Sequence, residues 1–342
     1  MFGPRLLPRT LDACLRDLSH TKVEVRLGAV RDLAAHATQD EDGSARNALG
    51  RALREDAAAH VRAEAAIVLA DVQAGDKLPV LCDALEDPAL SVRQMALVAV
   101  GELATRADAR AADAVRALLD DPAPAMRFQA LIAAKRTLPR AELARAIEHG
   151  QGDEDAEVRY IALRLAEELQ QDDAQDSPLL AAAGRAAEDE SARVRLVAAI
   201  VLTRAGDEAG PRLLAELLNG GWTLPLEDEQ VAIELAGEFG IADAQPGLER
   251  RAFGGLLGGS PLAWHARVAL ARQGHIRAKR RILRGLSAWT RDGRTLAVEA
   301  AGAARLREAR ARIEALSREP GGAEPEAASR ALALIASADE SE

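Results

Sequence analysis

Residues 87–103 read DPALSVRQMALVAVGEL, and the same pattern returns three more times along the chain. Residues 121–134 read DPAPAMRFQALIAA, residues 153–166 read DEDAEVRYIALRLA, and residues 189–202 read DESARVRLVAAIVL. Each copy has an Asp, four further residues, an apolar residue, an Arg and, three positions after that Arg, an Ala. Similarity that returns every 32 to 36 residues indicates a repeat architecture rather than a globular domain.

The repeat register extends over most of the chain when the apolar residue before the Arg is counted as position zero. Two earlier copies have position zero at Val25 and Val61. Weaker copies toward the C-terminus have position zero at Asp228, Leu262, Gly293 and Ala327. The residue at position four is then an alanine in every copy: Ala29, Ala65, Ala96, Ala130, Ala162, Ala198, Ala232, Ala266, Ala297 and Ala331.

Each repeat predicts two helices joined by a turn. In the third repeat the segment KLPVLCDAL precedes an Asp-Pro turn, and residues 90–103 follow it with helical periodicity. The Asp can accept hydrogen bonds from the free N–H groups that open the second helix. Positions zero, four and eight share one face of that helix, so we expect them to form the core.

The Asp-x-x-x-x-Val-Arg-x-x-Ala pattern resembles bacterial HEAT repeats of the short type that is also found in phycobilin lyase subunits. The resemblance covers residues 10–338 and implies an all-α, right-handed α-α superhelix of the HEAT and armadillo type, with about ten helix pairs. We therefore expect residues 1–342 to form a single solenoid, with regular repeats over about 10–207, degenerate, loop-extended repeats over about 208–318 and a C-terminal cap over 319–342.

The resemblance also implies a structural ladder, in which the Arg of one repeat pairs with an Asp of its neighbour. The first repeat has His20 where the other repeats have the Asp. The implied ladder residues are Arg26, Arg62, Arg93, Arg127, Arg159, Arg195, Asp56, Asp87, Asp121, Asp153 and Asp189.

Composition fits a helical protein of the cytoplasm. The chain has 342 residues and a formal net charge of −10, its apolar content is mostly Ala and Leu, and only 2% of its residues are aromatic. The two cysteines, Cys14 and Cys82, have no pairing pattern, which suits a reducing compartment. We expect no secretory signal and no membrane span, because no long uncharged apolar stretch occurs.

No motif predicts catalysis. The six histidines form no HExxH or His-Cys pattern, and the chain has neither GxSxG nor GxxxxGK[ST]. We therefore expect no enzymatic activity, no metal and no cofactor. HEAT arrays are usually scaffolds, so the first hypothesis is a protein-binding adaptor.

Positions two and six of the second helices lie opposite the core face, yet they are unusually apolar. Such a strip predicts a concave groove for a peptide or an amphipathic helix. The alternative is that this ridge packs against the first helices. The candidate groove residues are Phe128, Ile132, Tyr160, Arg164, Leu196, Ile200, Trp264 and Val268.

A basic patch stands out in this acidic chain. Residues 245–318 hold 16 basic and 5 acidic residues, whereas residues 1–244 have a net charge of −16. The patch is densest in GHIRAKRRILRGLSAW, residues 274–289, which is predicted as the first helix of the ninth repeat and so as part of an outer surface. It could contact nucleic-acid phosphates or an acidic protein. Its residues are Arg277, Lys279, Arg280, Arg281 and Arg284.

Two alternative functions stay open at this point. One is a nucleic-acid-associated HEAT protein that uses the basic patch. The other is a lyase-like or chaperone-like subunit of an enzyme complex, which the resemblance to phycobilin lyase subunits suggests.

Overall fold

A computed structural model describes residues 9–38, 42–170, 178–220, 223–254 and 260–339. Within these ranges the regular structure consists of twenty α-helices, α1 to α20, and four single 3-10 turns, without a strand. No helix in the described part of the chain is long and apolar enough to cross a membrane. The predicted all-α fold of about ten helix pairs is confirmed.

The chain divides into two compact units, and unit 1 comprises Met1–Leu169. Its helices alternate between the shorter first helix and the longer second helix of each pair, and the last residue of α10 already belongs to unit 2. They are α1 (Leu11–Asp17), α2 (Val23–Ala37), α3 (Ser44–Glu55), α4 (Ala59–Asp71), α5 (Leu78–Asp83), α6 (Leu90–Leu103), α7 (Ala109–Leu118), α8 (Pro124–Thr137), α9 (Arg140–Gly150) and α10 (Ala156–Gln170).

Unit 2 comprises Gln170–Glu342 and repeats the same alternation. Its helices are α11 (Pro178–Ala186), α12 (Ala192–Arg204), α13 (Ala209–Asn219), α14 (Leu226–Glu238), α15 (Gln245–Phe253), α16 (Ala263–Arg272), α17 (Ile276–Gly285), α18 (Arg291–Ala303), α19 (Arg310–Arg318) and α20 (Pro325–Asp339). The organisation of residues 1–342 as one solenoid stays a prediction.

Second helices pack on second helices within each unit. In unit 1, α4 packs against α2 and α6, and α6 packs against α8. In unit 2, α16 packs against α14 and α18, and α18 packs against α20. Most first helices lie against the second helix of their own pair, as α3 does on α4. Second helices inside a unit, such as α4, α6, α14, α16 and α18, therefore have one face against their own first helix, and second helices of adjacent repeats lie beside them, as in stacked solenoid repeats.

The core face is the one that the repeat register predicts. Position zero is buried at Val61, Val92 and Met126, and position four is buried in all ten repeats, from Ala29 to Ala331. Alanine fits there because a single methyl group lets neighbouring helix backbones approach closely. The closest approaches use glycine: a Cβ on Gly237 would lie 2.5 Å from the Cα of Ala269.

The Asp of each turn holds the start of a second helix. One carboxylate oxygen accepts a hydrogen bond from the backbone N–H two residues later, from Ala58 to Asp56 at 2.9 Å and from Ala89 to Asp87 at 2.9 Å. These bonds satisfy N–H groups that the helix itself leaves without a partner. The turn that joins the helices of a pair is thus fixed by a side chain of its own sequence.

Candidate functional site

Three arginine–aspartate rungs join adjacent repeats in unit 1. Arg62 donates from Nε and Nη2 to both carboxylate oxygens of Asp87, at 2.7 and 2.8 Å. Arg127 donates in the same way to Asp153, at 2.8 and 2.7 Å. Arg26 donates to Asp56 at 2.7 and 2.9 Å. These are paired, fork-like contacts, which are the stronger kind of arginine–carboxylate interaction.

The remaining Nη1 group of each arginine binds its own turn. In Arg62 it donates to the carbonyl of Asp56 at 2.8 Å, and in Arg127 to the carbonyl of Asp121 at 2.9 Å. Arg159 makes the same contact with the carbonyl of Asp153 at 2.9 Å. Each rung arginine therefore joins the turn of its own repeat to the aspartate of the next repeat. These guanidinium groups are engaged within the fold, which favours a structural role over ligand contact.

The structure differs from the implied ladder at Arg93. Its Nη1 donates to the carbonyl of Asp87 at 2.9 Å, but within the described ranges no hydrogen bond or ion pair joins Arg93 to Asp121. The carboxylate of Asp121 accepts instead from the backbone of Ala123 at 2.8 Å. Nothing in the structure explains why this rung is open.

The sixth repeat also departs from the implied pattern. Arg195 donates to Glu216 at 2.7 Å, and this carboxylate lies on α13, the first helix of the next pair. Asp189 accepts from the backbone N–H of Ser191 at 2.8 Å, as the other turn aspartates do.

The rungs lower the pKa of their carboxylates. The hydrogen bonds from Arg62 lower the pKa of Asp87 against the opposing effect of burial. Burial acts to raise the pKa of Asp153, but the bonds from Arg127 and from the backbone of Asp155 outweigh it and leave that pKa lowered. The ionised form is therefore the one that the fold stabilises.

The ridge of unit 1 presents four of the predicted groove residues. Phe128 and Ile132 on α8, and Tyr160 and Arg164 on α10, are all half-buried. Phe128 also packs against the core of unit 1. Arg164 donates to Glu167, one helical turn on, at 2.7 Å. Part of each side chain is therefore accessible to solvent, while the buried part of Phe128 belongs to the packing of the core.

The structure corrects the prediction for Leu196 and Ile200. Both were expected on an exposed ridge, and their exposed fractions are only 2% and 3%. Helix α12, which carries them, is packed by α11, α13 and α14. Because these neighbours lie around the helix, its outward register does not reach solvent, and we assign neither residue to a binding surface.

A groove in unit 2 combines the two other predicted residues with residues that the sequence analysis did not select. It has a volume of about 370 Å³ and lies over α14, α16 and α18. Its apolar wall consists of Trp264 and Val268 from α16 and Leu296 from α18. We call it the unit 2 groove.

Acidic side chains surround the unit 2 groove. Glu234 and Glu238 come from α14, and Glu299 comes from α18. Glu234 and Glu299 both occupy position six of their repeats, so the repeat register alone could have predicted this acidic rim. They are not among the predicted groove residues, because that prediction rests on the apolar residues at that position.

Two further polar groups line the same groove. The Nε2 atom of His265 lies 3.9 Å from Glu234, while its buried Nδ1 atom has no hydrogen-bond partner among the described residues. Arg272 donates from Nε to the carbonyl of Ala303 at 2.8 Å. Burial lowers the pKa of Arg272, and Arg305 adds to this effect, whereas Glu238 and Glu234 oppose it.

The predicted basic patch separates into two surfaces of unit 2. Arg277, Arg280, Arg281 and Arg284 line one cleft, together with Phe253 and Arg267. Lys279 faces a different depression, which Arg305 and Arg307 also line. Neither of these surfaces shares Trp264 or Val268 with the unit 2 groove.

The comparison with known protein families confirms the resemblance to HEAT repeats. Residues 9–101 match the family model for HEAT repeats. Among curated proteins, none has a sequence that matches this chain significantly.

Solved structures support the fold. The structure of YibA from Escherichia coli is 17% identical with a TM-score of 0.50, over 78% of this chain and 93% of that one. The complex of CpcE and CpcF of phycocyanin lyase from Nostoc sp. PCC7120 is 18% identical with a TM-score of 0.36, over 82% of this chain and 96% of that one. Human deoxyhypusine hydroxylase is 20% identical with a TM-score of 0.31, over 96% of each chain. Of these three structures only YibA reaches a TM-score of 0.50, and at 17% identity this likeness shows the fold alone.

Proposed function

We propose that this HEAT-repeat protein is a non-enzymatic adaptor that binds a peptide or an amphipathic helix of another protein. The observation that carries the proposal is the unit 2 groove, where Trp264, Val268 and Leu296 form an apolar wall on the second helices. Leu296 is 39% exposed although it is a large apolar residue. Exposed apolar surface of this kind, with a polar rim, is typical of protein-binding sites.

The rim defines the chemistry of the partner. Three carboxylates, those of Glu234, Glu238 and Glu299, stand around the apolar wall. A complementary helix has apolar residues on one face and Lys or Arg beside them, because opposite charges at the rim set orientation and specificity. A volume of about 370 Å³ suits the large apolar side chains of such a helix.

The charged groups of the groove stand as a rim around an apolar wall, which is an arrangement that fits a protein-binding site. We also propose that the protein acts in the cytoplasm, which its two free and buried cysteines fit.

The test uses an amphipathic peptide of Leu and Lys as a probe and the fluorescence of Trp264 as the signal. We expect the emission to shift on binding, and Trp264→Phe to remove that shift. Glu234→Gln combined with Glu299→Gln is expected to weaken binding about tenfold, which corresponds to about 1.4 kcal/mol. A peptide in which Glu replaces Lys is expected not to bind this groove.

Trp289→Phe is the matched control, because Trp289 is 98% exposed and does not line the groove. This variant is expected to bind the Leu and Lys peptide as the wild type does. Equal binding of the Lys and Glu peptides, or unchanged binding by the double glutamine variant, would rule out the proposed site.

A further inference from the structure

A second cleft in unit 2 has the opposite charge to the groove. It has a volume of about 840 Å³ and lies where the end of α15 meets α16 and α17. Five arginines line what we call the arginine cleft, together with the ring of Phe253: Arg267, Arg277, Arg280, Arg281 and Arg284.

The positive charge of the arginine cleft is not neutralised by the described residues. Its one acidic lining residue, Glu249, is engaged by His275 at 2.8 Å. Within the described part of the chain, Arg280, Arg281 and Arg284 form no ion pair with a carboxylate. Burial lowers the pKa of Arg267, and the nearby charge of Arg281 adds to that effect. Like charges brought this close favour an external anion.

The spacing of the arginines suits a row of carboxylates. Arg277, Arg281 and Arg284 occupy positions i, i+4 and i+7 of α17, so they follow one face of that helix. Seven residues of helix span about 10 Å at 1.5 Å per residue. Carboxylates one turn apart on an acidic helix have the same repeat, and the guanidinium fork binds a carboxylate through two parallel hydrogen bonds.

The aromatic ring of the cleft is already covered. The guanidinium carbon of Arg277 lies 4.1 Å from the centroid of Phe253, and the ring of His275 stacks on it at 6.0 Å. The guanidinium of Arg267 also faces this ring at 5.9 Å. Nucleic-acid sites that bind single strands offer an open ring on which a base can stack, which Phe253 does not.

The surroundings of the cleft favour a short peptide over a long polyanion. Ile276, which lines the cleft, is 65% exposed and offers an apolar contact beside the arginines. A short acidic segment can be neutralised within the cleft itself, whereas an extended nucleic acid carries charge beyond it.

We propose that the arginine cleft is a second protein-binding site, which takes an acidic peptide segment with carboxylates one helical turn apart and an apolar residue next to them. This site is separate from the unit 2 groove, because the two share no lining residue. The protein then joins two partners of opposite charge, a basic amphipathic segment in the groove and an acidic one in the cleft.

The experiment measures the fluorescence anisotropy of a labelled peptide of Glu and Leu titrated with the full chain. Arg281→Gln combined with Arg284→Gln is expected to weaken this binding at least about tenfold. Lys279→Gln is the matched control, because it removes one positive charge of the same helix that faces the other depression. It is expected to leave the affinity within about twofold of the wild type, since a distant exposed charge contributes little.

Two further measurements test whether the cleft prefers a nucleic acid and whether it is independent of the unit 2 groove. A labelled thymidine oligonucleotide of equal charge is expected to bind more weakly than the peptide, and tighter binding of the oligonucleotide would overturn the proposal. The Leu and Lys peptide is expected to bind the variant with Arg281→Gln and Arg284→Gln as it binds the wild type. Loss of the acidic peptide in the Lys279→Gln control, or its undiminished binding to the double variant, would also overturn the proposal, while leaving the groove untouched.

Discussion

At the scale of single residues, the repeat pattern is explained by hydrogen bonds. In the three rungs of unit 1, the guanidinium uses its donors on a turn of its own repeat and on a carboxylate of the next repeat. The Arg62 and Asp87 side chains are only 12% and 10% exposed. Removal of one partner leaves the other buried without its bonds, which costs more than the pair itself contributes.

We predict that Arg62→Ala lowers the free energy of unfolding by about 2–3 kcal/mol, because the Asp87 carboxylate and the carbonyl groups of the turn lose their hydrogen-bond donors. The measurement is urea denaturation followed by circular dichroism. Arg31→Ala is the control, since Arg31 is 60% exposed in its pair with Glu64, and it is expected to cost less than about 0.5 kcal/mol. Equal losses for the two variants would contradict the structural role of the rung.

The same rung predicts a dependence on pH. The hydrogen bonds from Arg62 hold the pKa of Asp87 below its usual range. The ionised carboxylate therefore stabilises the fold fully at pH values above the ordinary Asp pKa of about 3.9. This stabilisation is lost as pH falls through the lowered pKa of the folded state. The destabilisation by Asp87→Asn is therefore expected to be full at neutral pH and to shrink in strong acid. Asp113→Asn, at a side chain that is 77% exposed, is expected to change stability little at either pH.

Some structural arginines are not visible to a search for Arg–Asp pairs. Arg294 follows Gly293 in the register of the degenerate ninth repeat and donates to the carbonyl groups of Ala288 and Trp289, at 2.6 and 3.0 Å. Its other donors reach the carbonyl of Gly322 at 2.8 Å instead of a carboxylate. The register places this arginine correctly, but the acceptor is backbone, which carries no sequence signal.

At the scale of helices, the repeat register predicts the buried face well because that face depends on angle alone. Positions zero, four and eight point to one side of an α-helix whatever surrounds it. The outward face is harder to predict, because its exposure depends on which helices lie next to it. Phe128 on α8 is half-buried, while Leu196, at the same register position on α12, is buried.

The contact between α14 and α16 leads to a prediction about packing. A Cβ at Gly237 would lie 2.5 Å from the Cα of Ala269, which real structures avoid, so Gly237→Ala must move the two helices apart. We expect a loss of about 1–3 kcal/mol in the free energy of unfolding, as for other overpacked cores. The change would be measured by thermal denaturation.

The control for this prediction is Gly184→Ala in α11, where an added Cβ meets nothing within 4 Å. It is expected to be neutral or to stabilise by up to about 1 kcal/mol, because alanine has the higher helix propensity. A stabilising effect of Gly237→Ala as well would mean that α14 and α16 can separate without loss.

At the scale of the molecule, the proposed binding sites and the fork-like rungs lie in different units. The proposed binding sites, with their opposite charges, both lie in unit 2, whereas unit 1 contains the three fork-like arginine–aspartate rungs. Sequence separates the basic segment from the acidic remainder, and at 100° per residue it also places Lys279 on the side of α17 opposite Arg277, Arg281 and Arg284. Which of these two sides lines a cleft depends on how α17 packs against its neighbours, which is a tertiary property.

The two units also lead to a prediction about cooperativity. In a repeat protein each repeat contacts only its neighbours, so damage in one place is expected to stay local. Leu97 in α6 and Leu270 in α16 are both fully buried, and each change to Ala is expected to cost about 2–5 kcal/mol where it occurs. Hydrogen exchange followed by mass spectrometry would locate the loss.

Leu97→Ala is expected to speed exchange in α4, α6 and α8 and to leave α14 to α18 protected, and Leu270→Ala is expected to do the reverse. If both variants speed exchange equally throughout the chain, residues 1–342 unfold as one cooperative body, and the two units have no separate stability.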